Sequence, residues 1–250
     1  MSDNYTIKES FKLPSKGLIY SKPINPVVEL RSMTTREELR RTSPTNTPYK
    51  VLADIIEDCM IQKPEIHVYD MCVGDYEYLL HKVRVVTYGS DYKMLVECPL
   101  CHCLHSEVIN LDNIAVKEYD DKKVKEMMTV HLDRCNKTVV LKVQTPRILD
   151  NIQSGIDELL KKSKEKDPTI LVTLEYMIDT VDGQKLSFGD LESFINNLPA
   201  KDMNKLMQRI EKLNREVGLE TMVPCHCNQC GYDFETFFRF QPEFFRPVED

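Results

Sequence analysis

The sequence predicts an α+β fold: a split zinc ribbon with an N-terminal β-hairpin and helices, and a mainly helical insertion between two zinc knuckles. Three observations predict it. Cys98 and Cys101, and again Cys227 and Cys230, are spaced Cys-x-x-Cys, the bite of half a tetrahedral site. Each pair stands between strand-like runs, "YKMLVE" and "LHSEVINL" around the first, "ETMVP" and "YDFETFFRF" around the second. The residues between the two knuckles carry apolar side chains largely at helical spacing.

The elements follow in order. In "YTIKESFKLPSKGLIYSK" the turn signal Pro14-Ser15-Lys16-Gly17 separates two short strand candidates, and "VVELRSM" after Pro26 is a third. Thr35 can cap a helix in "TTREELRR", with Glu38 three residues later to close a capping box. "PYKVLADIIEDCM" puts Val51, Leu52, Ile55, Ile56 and Cys59 on one helical face, and "GDYEYLLHKVRVVTYG" does so with Tyr76, Leu79, Leu80, Val83 and Val86. Such stripes denote core before they denote a ligand site.

Beyond the first knuckle, "KTVVLKV" reads as a strand ending before Pro146. "DPTILVTLEYMIDTVDG" reads as a helix capped by Asp167, with Pro168 at its first position and Gly183 as its stop. Ser187 and Asp190 form a second capping pair. "KDMNKLMQRIEKLNREVG" is the clearest amphipathic helix, with Met203, Leu206, Met207, Ile210, Leu213 and Val217 in phase and Gly218 as its stop. In the aromatic tail, Phe237, Phe238, Phe244, Phe245 and Arg246 either anchor a partner or pack back onto the ribbon. The expected organisation is 1–110, an N-terminal α+β region with the first knuckle; 111–219, the insertion; and 220–250, the second knuckle and tail.

Composition narrows the function. The chain has 250 residues, 42% hydrophobic and 29% charged, which is enough for one sizeable core or a core with a smaller inserted domain. Its apolar runs are short and broken by charge, so no membrane span is expected. "MSDNYTIKESFKLPSKG" lacks the charged and apolar regions of a signal peptide, so synthesis in the cytoplasm is expected. A net charge of −7 argues against nucleic acid as the main partner. The one dense basic run, Lys161–Lys166, reads as a solvated helix end.

Nine cysteines, odd in number and clustered, point to metal rather than disulfides. Cys59, Cys72 and Cys135 stand apart and read as small buried residues. There is no Gly-rich phosphate loop, no His-Glu-x-x-His pair and no Gly-x-Ser-x-Gly elbow, so no enzymatic chemistry is expected. The paired carboxylates Asp120/Asp121 and Glu37/Glu38 read as solvated charge.

Cys98, Cys101, Cys227 and Cys230 together complete one structural Zn2+ site, and Gly231 suits the left-handed residue such a knuckle needs. Cys103, Cys225, His102, His105 and His226 lie within reach and could replace a ligand, hold a second ion or simply pack. Four thiolates leave no position for a water, so the expected ion is structural and not catalytic. A redox role for Cys98 and Cys101 lacks the strand leading directly into a helix. Structural zinc commonly binds with about 10–16 kcal/mol, which becomes folding energy and would fasten the insertion.

Several stretches in series resemble a phage family. "LPSKGLIY", "VVELRSMTTREE", "VLADIIEDC" and "VGDYEYLLHKVRVVTYGSDYKMLVECPLC", closed by "CNQCGYDFETFFRFQPEFFRP", are similar to the baseplate hub and hub-assembly proteins of T-even-type tailed bacteriophages. The resemblance covers most of residues 8–110 and 220–247. Over 111–219 it is weaker, mainly "TLEYMIDTVDG". It implies a non-enzymatic protein–protein interaction component or assembly factor of a tail baseplate hub, with zinc on the four cysteines. Its partners would be other phage baseplate and tail proteins. Its place would be the host cytoplasm during assembly and, if it stays, the virion tail. The competing reading is a nucleic-acid-binding, transcription-related zinc ribbon. That reading wants basic and aromatic residues at the knuckles, where Glu97, Glu107, Asp233 and Glu235 stand instead. An enzyme with scaffold zinc is a second competitor, and it would need a cleft of perturbed acids or bases.

Overall fold

Most short runs of strand in this sequence pair with a neighbour in the chain, and the computed structural model contains small antiparallel sheets rather than one large one. It describes residues 7–162, 167–238 and 242–245. The elements of the first part are β1 (Lys8–Lys12), β2 (Val27–Arg31), α1 (Thr35–Arg41), α2 (Pro48–Cys59), α3 (Val73–Tyr88), β3 (Asp91–Glu97) and β4 (Leu104–Asn110). The middle holds β5 (Val116–Lys117), α4 (Asp121–Met128), β6 (Thr129–Leu132), β7 (Lys137–Leu141), α5 (Pro146–Lys162), α6 (Thr169–Met177), β8 (Ile178–Val181), α7 (Phe188–Asn196) and α8 (Ala200–Asn214). The end supplies β9 (Gly218–Leu219), β10 (Met222–His226) and β11 (Asp233–Phe237). The mixed α+β class is as expected.

The N-terminal hairpin forms, but its second strand is "VVELR": Lys8 faces Arg31 and Lys12 faces Val27. The run after Gly17, expected as a strand, is a loop instead. Its polar groups are claimed by a buried carboxylate on α3. Asp75 accepts from the Ser15 amide at 2.9 Å, from the Ser15 hydroxyl and from the Tyr20 hydroxyl at 2.5 Å. The first helix also starts one residue earlier than the pattern suggested. Thr34 is its cap, and its amide and hydroxyl donate to Glu37 at 2.7 and 2.6 Å. Glu37 is therefore not solvated. It is buried and paired with Arg31 at 3.0 Å, and these bonds hold its carboxyl at about 2 against the burial that opposes ionisation.

Two corrections concern the middle. The helix expected to run to Gly183 ends at Met177, and Ile178–Val181 pair with β7, Val139 opposite Val181. Ile178, Thr180 and Val181 are β-branched, and β7 offers an open edge beside them. Helix α8 ends at Asn214, so Gly218 is not its stop. Glycine is needed there for a close approach: a Cβ on Gly74 would lie 2.1 Å from the Val217 carbonyl oxygen, and one on Gly218 would lie 2.8 Å from the Gly74 Cα.

The buried residues form two clusters. One gathers β2, α2, α3 and β3 with Leu219, Val223 and the tail residues Phe238, Phe244 and Phe245. The stripes predicted for α2 and α3 point into it. Helix α3 is buried almost all round, Asp75, His81 and Arg84 included. The other cluster runs from Tyr119 to Val217 and packs the β6–β7–β8 sheet against α4, α6 and α8.

Three of the tail phenylalanines thus pack on the chain's own core, and Phe237 stays 39% exposed. Arg246 and residues 163–166 of the basic run lie outside the described residues; Lys161 and Lys162 are exposed at the end of α5. Among the described residues no helix is long and apolar enough to cross a membrane.

Candidate metal centre

Two hairpins present the cysteines, and they are built alike. Strands β3 and β4 close over Cys98–Cys103, between paired Glu97 and Leu104; β10 and β11 close over Cys227–Tyr232, between paired His226 and Asp233. In the first loop the Cys98 amide donates to Cys103 O at 3.0 Å and the His102 amide to Cys98 O at 2.9 Å. In the second, Cys227 donates to Tyr232 O at 2.9 Å and Gly231 to Cys227 O at 2.8 Å. The fifth loop residue is left-handed in both, with φ 73° at Gly231 as expected and 58° at His102. That backbone costs an L-residue roughly 1–2 kcal/mol. The His102 ring lies against Glu97, Nδ1 to Oε1 at 2.9 Å.

The hairpins face one another across a contact that no spacing announced. The His226 amide donates to the Glu107 carboxylate at 3.0 Å, and the Phe234 ring meets His105 edge-on at 6.2 Å. This brings the loops together. Cys98 Sγ lies 3.7 Å from Cys230 Sγ, Cys101 Sγ lies 3.6 Å from Cys227 Sγ, and all four sulfurs lie within 4.8 Å of one another. A tetrahedral ion with metal–sulfur bonds of about 2.3 Å requires sulfur–sulfur edges of about 3.8 Å. The four cysteines can therefore hold one metal ion. Cys98 and Cys227 are buried, Cys101 is half-buried and Cys230 is exposed, so one corner of the cluster meets solvent.

The thiols differ in acidity. Backbone N–H groups of Cys230 and Gln229 donate to Cys227 and bring it down to about 6, against its desolvation. Cys101 goes the other way. The Cys103 amide lowers it, but desolvation and its bonds to Cys230, Cys227 and Cys98 hold it up at about 12. A cation entering the cluster would displace the remaining protons.

The five alternative ligand candidates stand outside this cluster among the described residues. Cys103 Sγ lies 3.6 Å from the Leu104 carbonyl, and the buried Cys225 Sγ lies 3.9 Å from that of Val223. His226 is engaged by Asp233 at 2.6 Å, His102 by Glu97, and His105 packs on Phe234. Of the isolated cysteines, Cys59 and Cys72 are buried as expected, and Cys135 is half-buried.

No curated protein and no solved structure matches this chain. A family model described as T4 bacteriophage base plate protein matches residues 4–246, a span that takes in both hairpins and everything between them. The chain belongs to that base plate protein family.

Proposed function

We propose that the chain is a non-enzymatic component or assembly factor of the hub of a phage tail baseplate. In this reading a structural Zn2+ on Cys98, Cys101, Cys227 and Cys230 pins a split ribbon around the insertion 111–219. The family match carries the baseplate assignment. The donor set supports zinc: four thiolates at tetrahedral separations suit a soft-ligand structural ion, and such a shell has no open position for a reacting water. The order of the clusters supports the insertion, because residues 119–217 have their own buried core while the first core draws on both sides of it. Its partners would be other baseplate and tail proteins, met in the host cytoplasm during assembly. The transcription-related reading draws no support from the knuckles, where exposed Glu97, Asp233 and Glu235 stand.

Quantitative mass spectrometry of infected-cell lysate and purified particles tests the reading. A fixed low copy number in particles makes the chain a hub component. Association with tail proteins in lysate alone makes it an assembly factor. No association in either sample overturns the proposal. Metal analysis of purified protein should find one zinc per chain, and iron in its place would overturn the zinc assignment.

A further inference from the structure

A cleft of about 430 Å³ opens where the first cluster meets the start of α5 and the chain just after α8. Helices α2 and α3 form one wall, with Tyr49, Leu52 and Leu80; Leu149, Val217 and Phe237 form the other. Among the described residues, two polar groups in it lack partners. Tyr76, only 2% exposed, has a hydroxyl without a hydrogen bond. Beside it Glu77 has neither an ion pair nor a hydrogen bond among the described residues. Burial pushes the Glu77 carboxyl up to about 7. Above that pH, an unpaired carboxylate in a partly apolar cleft is destabilising unless a cation reaches it.

Among the described residues none supplies that cation. Arg215, at the rim, is already engaged by Glu211 at 2.9 Å and by the ring of Phe237, whose centroid is 5.0 Å away. The other titratable groups nearby are Tyr49 and Tyr76, which interact with Glu77, and Asp150, whose oxygens cap α2 through Tyr49 and Lys50. Lysine and arginine have the matching form, with an aliphatic stem for apolar walls and a charged head for the carboxylate.

We propose that this cleft is a docking site for a basic side chain of a partner baseplate protein, with Glu77 as its counter-ion and the Tyr76 hydroxyl as a further hydrogen-bonding group. The partner's identity as a baseplate protein rests on the function proposed above; the chemistry of the cleft does not. The test is therefore made on the isolated full chain. N-acetyl-arginine methylamide, N-acetyl-lysine methylamide and the neutral N-acetyl-norleucine methylamide are titrated at pH 8.5, following the methyl resonances of Leu52, Leu80, Leu149 and Val217.

Both basic amides should bind at least tenfold more tightly than norleucine. Glu77→Gln should remove that preference while leaving the methyl spectrum of the free protein folded. Leu149→Trp, which keeps Glu77 but fills the cleft, should remove binding of all three. Equal affinity for the three amides, or a basic preference that survives Glu77→Gln, overturns the proposal. If the amides behave as expected and the chain still associates with no tail protein, the cleft stands and the baseplate-hub reading falls.

Discussion

The two buried clusters solve the same packing problem with different chain economies. The second is drawn from one continuous stretch, Tyr119 to Val217. The first needs Leu13 and Phe244 in one place, and its two knuckles are separated by 126 residues at Cys101 and Cys227. Closing a flexible loop of that length costs on the order of 4 kcal/mol in entropy alone. The middle stretch reduces that problem. Its entry and exit already lie side by side as β5 and β9, with Val116 opposite Leu219. A folded middle therefore hands the first cluster a short effective connection, which the proposed ion on the cysteines would need only to clamp. The lesson is that the continuous region should survive without the metal, whereas the discontinuous one should not.

The largest effect that would break this comparison is on the metal. Cys227→Ser should abolish stoichiometric zinc and destabilise the first cluster by on the order of 5 kcal/mol or more. Proteolysis should then open residues 7–110, while amide protection persists in α8 and in the β6–β7–β8 sheet. Equal loss of protection in both regions would show one cooperative unit. Next comes Arg84, buried at 0% exposure. It donates to Phe244 O at 3.1 Å, to Asp91 O at 2.9 Å and to Gly89 O. Arg84→Met strands these carbonyls and should cost about 3–5 kcal/mol in urea unfolding, with Phe244 becoming mobile in NMR.

Acid should also act on the first cluster. Burial holds His81 neutral, down to about 4 from 6.5. An unfolded chain takes up that proton below 6.5 and the folded chain only near 4, so stability is full above pH 6.5 and falls as pH drops through this window. The loss should reach about 3 kcal/mol, and a His81→Gln variant should show a flatter curve. In the second cluster Asp202 accepts from the amides of Arg134 at 3.1 Å and Cys135 at 2.9 Å. Asp202→Ala should cost about 2 kcal/mol, with faster exchange at those two amides and unchanged metal content. The smallest effect distinguishes the twin knuckles. His102→Gly should relieve left-handed strain and stabilise by about 0.5–1 kcal/mol, while Gly231→Ala should cost a similar amount.

Much of this was legible because it is local. Cys-x-x-Cys spacing and a glycine at Gly231 describe a tight loop without reference to anything distant. The apolar phases of α2, α3 and α8 likewise depend only on neighbours three and four residues away. The misses are long-range. β2 rather than the Gly17 run pairs with β1 because Asp75, sixty residues from Ser15, claims the intervening loop. β8 was hidden inside an apolar run that suits helix or strand equally until β7 lies beside it. Asp75, Arg84, Asp150 and Asp202 give no signal in the sequence, since a carboxylate or guanidinium buried to satisfy backbone groups has no periodic signature. Glu107 is legible only as an acid near a knuckle, because its bond to His226, which joins the two hairpins, spans 119 residues.

The split of the cysteine cluster also sets a clock. Synthesis delivers Cys98 and Cys101 long before Cys227, with the whole second cluster translated in between. At roughly 5–20 residues per second, the 126 residues from Cys101 to Cys227 take about 6–25 s to make. For that interval a nascent chain exposes half a chelate, two thiols able to meet an oxidant or the wrong ion. With the proposed ion on the four cysteines, the order in which the chain emerges would make metal supply and thiol reduction during translation part of how the protein reaches its fold.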